Sequence, residues 1–355
     1  METPNLFVCC TYFHLYVALA MAWKSHQKGE TCTIVLSLTR NRISEHLLNR
    51  LSTITWARIL DHSDQGLYHR IEQFHPLKKL VLNLFINALY PRLYPRAEEL
   101  RPLSRSNTIY LFNDFHYLSR YIIKNARPGI ILMEDGNNSY GPVKSGLAVR
   151  LKKYLGIHPR FGRHPRITRI MVQRPRELPR DIAHKGEKLD ITEILNAIPP
   201  SDMAKMVGLF MAPDNIPRAE ESSNTALLLT QPFYQFGRTS ESRQIRIYKG
   251  ITDTLQAHGI RVILKPHPSD RVDYGAIFPN LDIWPAEFPI EILNHTQRVK
   301  FKLAVGVNTS AVFNVRFTET NINLLRENDR FIQNHFHEAL ANIKGNLEAN
   351  GFPRI

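Results

Sequence analysis

Along this chain, short uninterrupted apolar runs alternate with stretches of helical spacing. The first run, Leu6 to Cys10, breaks at Thr11, and apolar positions then recur at Leu15, Ala18, Leu19 and Ala22. A short run followed by steps of three and four predicts a buried strand, a loop and a helix, the opening of an α/β unit. The pattern continues with "CTIVLSL" (32–38) as a strand, "ISEHLLNRLSTI" (43–54) as a helix and "TIYLFN" (108–113) as a strand. A helix around 115–126 and the strand of "GIILMEDG" (129–136) follow. A second series runs through "ALLLTQP" (226–232), a helix over 242–259, "RVILKP" (261–266), "FPIEILN" (288–294) and "KLAVGVN" (302–308). Strands alternating with helices in two series predict two Rossmann-like doubly wound domains facing a central cleft. The expected division is an N-terminal domain at 1–190, a connector at 191–224, a C-terminal domain at 225–335 and a C-terminal helix at 336–355.

Composition narrows the class. The 355 residues suit two domains of ordinary size, and 43% hydrophobic with 22% charged residues describes a globular chain. A net charge of +14 calls for an anionic partner: nucleic acid, a membrane surface or an acidic small molecule. A basic nucleic-acid-binding protein is the alternative of a different class. Such proteins interleave basic and aromatic residues or carry a known module, and neither is visible, so no nucleic-acid partner is expected. Cys9, Cys10 and Cys32 lack metal-like spacing, and neighbours on a strand face opposite ways, so a reducing, cytoplasmic setting is expected. There is no run of about 18 apolar residues and no basic leader at the N-terminus, which makes any membrane contact peripheral, on the cytoplasmic face of the inner membrane.

From Val149 to Arg180 the chain holds ten Lys or Arg and a single acid, Glu177. A charge run is ordinarily a solvated face, but unopposed arginine also suits carboxylates and phosphates. Arg150, Lys152, Lys153, Arg160 and Arg163 are therefore candidate contacts for an anionic acceptor or surface. "SGLAVRLKKYLGI" reads as an interfacial helix, with Leu147, Leu151, Tyr154 and Leu155 among basic neighbours.

The usual nucleotide and zinc fingerprints are absent, as is an Asp-x-Asp pair, so no metal or other cofactor is expected. Four features carry chemistry instead. "EDG" at 134–136 puts Glu134 and Asp135 at the carboxyl end of a strand, where one of them can act as a general base. Asp-Gly is equally a turn pair. His267, between Pro266 and Pro268, follows the strand ending at Lys265 and could give a proton to a leaving group; it could also be turn punctuation, since His75, His158 and His164 precede prolines too. Thr309 and Ser310 end a strand where a helix begins, a place for a phosphate or for a plain N-cap. Glu291 in "FPIE" could cap a helix or accept from ribose hydroxyls.

The ordered set "EDG", "KPHPSDRVDY" and "TS", with "NLFVCCTYFHL" and "LLLTQPF" before their helices, resembles the bacterial capsular polysialyltransferases and lipooligosaccharide sialyltransferases. The resemblance implies the GT-B arrangement and an inverting, metal-independent transfer of sialic acid from CMP-sialic acid to a hydroxyl of a cell-surface glycan, with an anionic or lipid-linked acceptor. It implies Glu134 as general base with Asp135 close by, the N-terminal domain holding the acceptor. His267 would be the general acid toward CMP. Lys265, Pro268, Glu291, Thr309 and Ser310 would hold the donor, Glu291 on the ribose and the hydroxyl pair on the phosphate. Several relatives carry an acid just after "LLTQP"; here "PFYQFGR" stands there and Glu241 is the next carboxylate. Another CMP-activated acidic sugar, such as Kdo, pseudaminic or legionaminic acid, would use the same residues.

Overall fold

The computed structural model describes residues 4–38, 43–63, 65–127, 129–141, 146, 149, 153–211, 224–296, 300–309 and 311–324. The chain divides into two units, Met1–Met203 and Ala204–Ile355. The boundary falls inside a helix within the segment expected as a connector, and the expected C-terminal helix at 336–355 lies outside the described residues.

Unit 1 is built on a seven-stranded sheet in the order β3-β2-β1-β4-β5-β6-β7, every pairing parallel. The strands are β1 (Asn5–Cys9), β2 (Cys32–Leu36), β3 (Arg58–Asp61), β4 (Ile109–Leu111), β5 (Ile130–Met133), β6 (Ile167–Val172) and β7 (Gly186–Lys188). Every residue of β1, β2 and β5 is buried, which is what a parallel strand covered on both faces demands and why these read as continuous apolar runs. The helices are α1 (Tyr12–His26), α2 (Glu45–Leu51), α3 (Gln65–Glu72), α4 (Pro76–Leu84), α5 (Ile86–Leu93), α6 (Tyr117–Asn125) and α7 (Ile191–Asn196), and α8 (Pro200–Phe210) runs across the boundary into unit 2. One core cluster joins Leu6, Val8, Leu111 and Leu132 of the sheet to Tyr121 and Ile122 of α6 and Tyr90 of α5.

Unit 2 has five parallel strands in the order β10-β9-β8-β11-β12: β8 (Thr225–Leu229), β9 (Arg261–Lys265), β10 (Asp282–Ile283), β11 (Phe301–Val307) and β12 (Thr318–Leu324). Its helices are α9 (Glu241–Ala257), α10 (Tyr274–Ile277) and α11 (Ala311–Asn314). Gly259, at φ +71°, ends α9: the Gly259 N–H bonds to the Gln256 carbonyl and the Ile260 N–H to that of Leu255, and the chain enters β9 at once.

"FPIEILN" forms a 3-10 helix over Ile290–His295 rather than a strand. Its four buried residues face inward as one turn of helix, so an apolar run this short did not specify its period.

Candidate functional site

In both sheets the chain order reverses at one point, between β1 and β4 in unit 1 and between β8 and β11 in unit 2. Doubly wound sheets bind ligands outside the carboxyl ends of their strands at such points. In unit 1, β5 delivers Glu134 and Asp135 beside that point, and the two carboxylates have different surroundings. Glu134 is 5% exposed. Its Oε2 accepts from the Gln173 backbone N–H at 2.6 Å and the Tyr140 hydroxyl at 2.9 Å, and its Oε1 from Gln173 Nε2 at 3.3 Å. Burial and the nearby Glu134 charge push the Tyr140 hydroxyl well above its ordinary range, so it stays a donor. Glu134 thus stitches β5 to the chain leaving β6.

Asp135 keeps a 22% exposed side chain, with Oδ1 3.2 Å from His14 Nε2. The strand-to-helix turn after β1 places that histidine. Thr11 caps α1 by accepting the His14 N–H at 3.1 Å, and His14 Nδ1 accepts the Cys10 N–H at 3.3 Å. With Nδ1 taken as an acceptor, a neutral imidazole carries its proton on Nε2 and donates to Asp135. The ring is buried and stacks on Phe112 at 4.6 Å. Sequence reasoning missed His14; its place one turn into the first helix after an apolar strand was the available signal.

In unit 2, β9 ends at Lys265 and the chain turns at once. Asp270 N donates to the His267 carbonyl at 2.8 Å, which closes a β-turn with Pro268 at its second position, where a fixed φ near −65° is an advantage. Pro268 therefore shapes the loop. His267 is held at two further points: its N–H donates to Thr230 Oγ1 at 3.0 Å, and its Nδ1 accepts the Ser269 N–H at 3.0 Å. The proton of the neutral ring then sits on Nε2. Burial, and after it the Lys265 ammonium, pushes this imidazole down to about 3, so the ring is neutral at pH 7. That changes the general-acid reading: the unliganded protein presents a neutral N–H donor, and only an arriving anion would favour its protonation.

Asp270 organises the turn. Its carboxylate accepts from Thr230 Oγ1 at 2.7 Å, Tyr274 Oη at 2.9 Å, Gln244 Nε2 at 3.0 Å and the Val272 N–H at 3.2 Å. The "SDRVDY" that follows His267 is this clamp. Lys265 is 4% exposed, with Nζ 4.5 Å from the centre of the Phe288 ring and 3.4 Å from the Pro266 and Ala286 carbonyls. Burial lowers its pKa to about 8, against the opposing pull of Glu291. Glu291 is buried on the 3-10 helix and accepts from Asn314 Nδ2 at 3.2 Å; its own pKa is raised by burial. Thr309 is 4% exposed, and its hydroxyl accepts the Ala311 N–H at 3.3 Å, so it caps α11. Gly306 makes room for this fold-back, since a Cβ there would meet Thr309 Cγ2 at 2.3 Å. Ser310 lies outside the described residues.

A family model, glycosyltransferase family 52, matches residues 98–326. That range is well over half of the chain and contains "EDG", "HP" and "TS" in order. The chain belongs to glycosyltransferase family 52. The resemblance to bacterial sialyltransferases read from its motifs is borne out. A curated relative, an uncharacterised protein from Haemophilus influenzae, is 26% identical over 198 residues. The match covers 56% of this chain and spans 62% of that relative's length. Among solved structures, the GT-B domain of a sialyltransferase from Photobacterium damselae is similar over 99% of this chain and 97% of its own, with TM-score 0.53 and 13% identity. A 2,6-sialyltransferase from Photobacterium sp. JT-ISH-224, solved with CMP and lactose, covers 98% of this chain and 78% of its own, with TM-score 0.56 and 12% identity. These likenesses fix the fold as GT-B-like.

In this family 52 glycosyltransferase four residues of the basic stretch, Arg163, Arg166, Arg169 and Arg174, are spent on structure. Arg163, expected to meet an acceptor, instead clamps Asp181 with two bonds of 2.6 and 2.9 Å and donates to the Arg160 carbonyl. Arg169 pairs with Glu187 across β6 and β7, and Arg174 with Glu177 at 2.7 Å. Arg166 donates to the Ile123 and Lys124 carbonyls that end α6. The acids come from 177–187, beyond most of the run, so reading the run alone overstated its free charge. Lys153 and Arg160 remain exposed, the latter stacked 4.7 Å over Phe115. Arg150 and Lys152 lie outside the described residues.

Proposed function

We propose that this glycosyltransferase moves sialic acid, or another CMP-activated acidic sugar, from its CMP donor to a hydroxyl of a cell-surface glycan such as capsule or lipooligosaccharide. The observation that carries this reading is the single family match, which holds "EDG", "HP" and "TS" in one ordered frame. The acceptor oxygen attacks C2 of the sugar, the bond from C2 to the phosphate oxygen breaks, the acceptor proton passes to a carboxylate, and CMP leaves with inversion at C2. Of the two carboxylates, Asp135 suits the proton-accepting role, because Glu134 is buried and has both oxygens engaged. His267 donates Nε2–H to the departing phosphate, and Lys265 adds positive charge behind it. Glu291 takes the ribose and Thr309 and Ser310 the phosphate, Thr309 while capping α11. No metal or other cofactor enters this scheme. We place the reaction on the cytoplasmic side, in line with three cysteines that are all unpaired.

The test is CMP release from CMP-Neu5Ac with lactose-type and sialylated acceptors, with and without EDTA. Acceptor-dependent release that persists in EDTA is the expected result. No turnover of any CMP-sugar would overturn the assignment, and loss of activity in EDTA would overturn the metal-free scheme alone.

A further inference from the structure

The turn that follows β8, "PFYQFGR" (232–238), carries no acid and two exposed aromatic residues, Tyr234 at 45% and Phe236 at 40%. Its backbone is fixed from within. The Phe236 N–H donates to the Pro232 carbonyl at 3.1 Å, the Gly237 N–H to that of Tyr234 at 2.9 Å and the Arg238 N–H to that of Phe233 at 2.9 Å. The last two bonds, with Gly237 at φ +65°, form the Schellman pattern that ends a single helical turn. Gln244, buried on α9, ties this turn to the His267 turn. Its Oε1 accepts the Tyr234 N–H at 2.8 Å and its Nε2 donates to Asp270 at 3.0 Å, while Asp270 reaches His267 through Thr230.

Between the two aromatic residues stands an amide with nothing to bond. Gln235 is half-buried, and among the described residues neither its Oε1 nor its Nε2, both shielded from water, has a hydrogen-bond partner. A shielded amide in that state is destabilising, and only a group that both donates and accepts relieves both of its atoms at once. A secondary amide does so through its own N–H and C=O. Arg238, exposed at the end of the same turn, presents a guanidinium that suits a carboxylate. An apolar ring face, an unmet amide and a cation on one turn match an acidic sugar that carries an N-acyl group.

The place of the turn says which sugar this is. In the sheet β8 lies between β9 and β11, so the turn leaves between the strands that end at His267 and at Thr309, the residues assigned above to the phosphate. With the ribose on Glu291, the other substituent of that phosphate is the sugar being transferred. We propose that the turn after β8 is the subsite for the transferred sugar and reads its N-acyl group, with Gln235 swung outward onto the acyl amide, Tyr234 packed on the acyl methyl and Arg238 on the carboxylate. This rests on the CMP-sugar reading above and narrows it: sialic, pseudaminic and legionaminic acids carry such an amide, and Kdo does not.

The experiment compares the full chain on CMP-Neu5Ac and on CMP-Kdn, which has a hydroxyl where the acetamido group stands, by kcat/KM for CMP release. The wild type should favour CMP-Neu5Ac by about tenfold or more. Gln235→Leu should lower kcat/KM for CMP-Neu5Ac by about tenfold and leave CMP-Kdn unchanged within about twofold. Its melting temperature should equal or exceed that of the wild type, because a shielded, unmet amide has been removed. Should it melt lower, Gln235→Glu, of the same shape but without the amide N–H, should narrow the preference in the same way. Arg238→Ala should weaken both donors alike, since both carry the carboxylate. A wild type without preference, or Gln235 variants that weaken both donors equally, would overturn the N-acyl assignment while the CMP-sugar reading stands. Turnover of neither donor would overturn both.

Discussion

The strand-end clusters of the two units, each taken by itself, mirror each other. In unit 2 a carboxylate organises a histidine: Asp270 gathers four donors and, through Thr230, fixes His267. In unit 1 a histidine organises a carboxylate, since His14 is fixed by the Cys10 and Thr11 turn and reaches Asp135. The difference lies in redundancy. His267 is held by a turn, a backbone bond and a ring bond, whereas Asp135 has one imidazole and the Ser139 hydroxyl that accepts its N–H. A group that donates toward a phosphate must keep one nitrogen aimed, and a rigid loop does that. The base proposed above must take a proton and later return it to solvent, which calls for partial exposure, and Asp135 is 22% exposed.

The largest effects should come from the reacting groups. His267→Asn keeps an acceptor for the Ser269 N–H but removes the Nε2 donor. Asp135→Asn keeps the His14 contact but cannot take a proton. Each should lower kcat/KM about 10²–10⁴-fold with little change in melting temperature. Glu134→Gln sharpens the comparison: one acceptor oxygen remains, but the carboxylate's second is replaced by a donor facing other donors. It should cost about 1–3 kcal/mol of stability in urea unfolding while retaining more activity than Asp135→Asn. The reverse ranking of the two would return the base to Glu134.

How much of this could be read from residues alone follows a physical line. β1, β2, β5, β8, β9 and β11 were legible because strands buried on both faces are nearly continuous apolar runs. β12, "TETNINL", was not, because its first four residues are polar and only the last three are buried. β6 was hidden in the basic run, where Arg169 points outward to Glu187. The motif residues were legible as strand ends, but what distinguishes Glu134 from Asp135 was not, because it depends on Gln173 and Tyr140, one of them 39 residues away. His14 and Asp270 are partners of the proposed reacting groups, and no spacing rule announces a partner made by a turn.

Those partners should give the middle-sized effects. Asp270→Ala leaves the Thr230 and Tyr274 hydroxyls without their acceptor, and the Gln244 amide, itself 0% exposed, with only the Tyr274 hydroxyl to donate to. About 2–4 kcal/mol of stability should be lost, with roughly a tenfold fall in kcat as the His267 loop loosens. His14→Phe keeps the stack on Phe112 and removes both nitrogens. It should cost about 1 kcal/mol, and kcat should fall about tenfold with KM held. Equal stability losses in the two variants would erase the claimed difference in redundancy.

The smallest effect tests the electrostatics of His267. Its folded pKa is depressed to about 3 from an ordinary 6.5. Below pH 6.5 the unfolded chain takes up a proton that the folded chain refuses, so stability from this group is full at neutral pH. It drains away as pH falls from 6.5 toward 3. His267→Asn removes that term. Between pH 7 and pH 5 the variant should therefore lose less stability than the wild type, by on the order of 1 kcal/mol in urea midpoints. Identical acid sensitivity in the two proteins would mean that the folded ring titrates at its ordinary value of 6.5, with part of it charged near neutral pH before any phosphate arrives. In that case His267 would act as an ordinary acid, without the conversion that the half-buried turn beside Lys265 imposes.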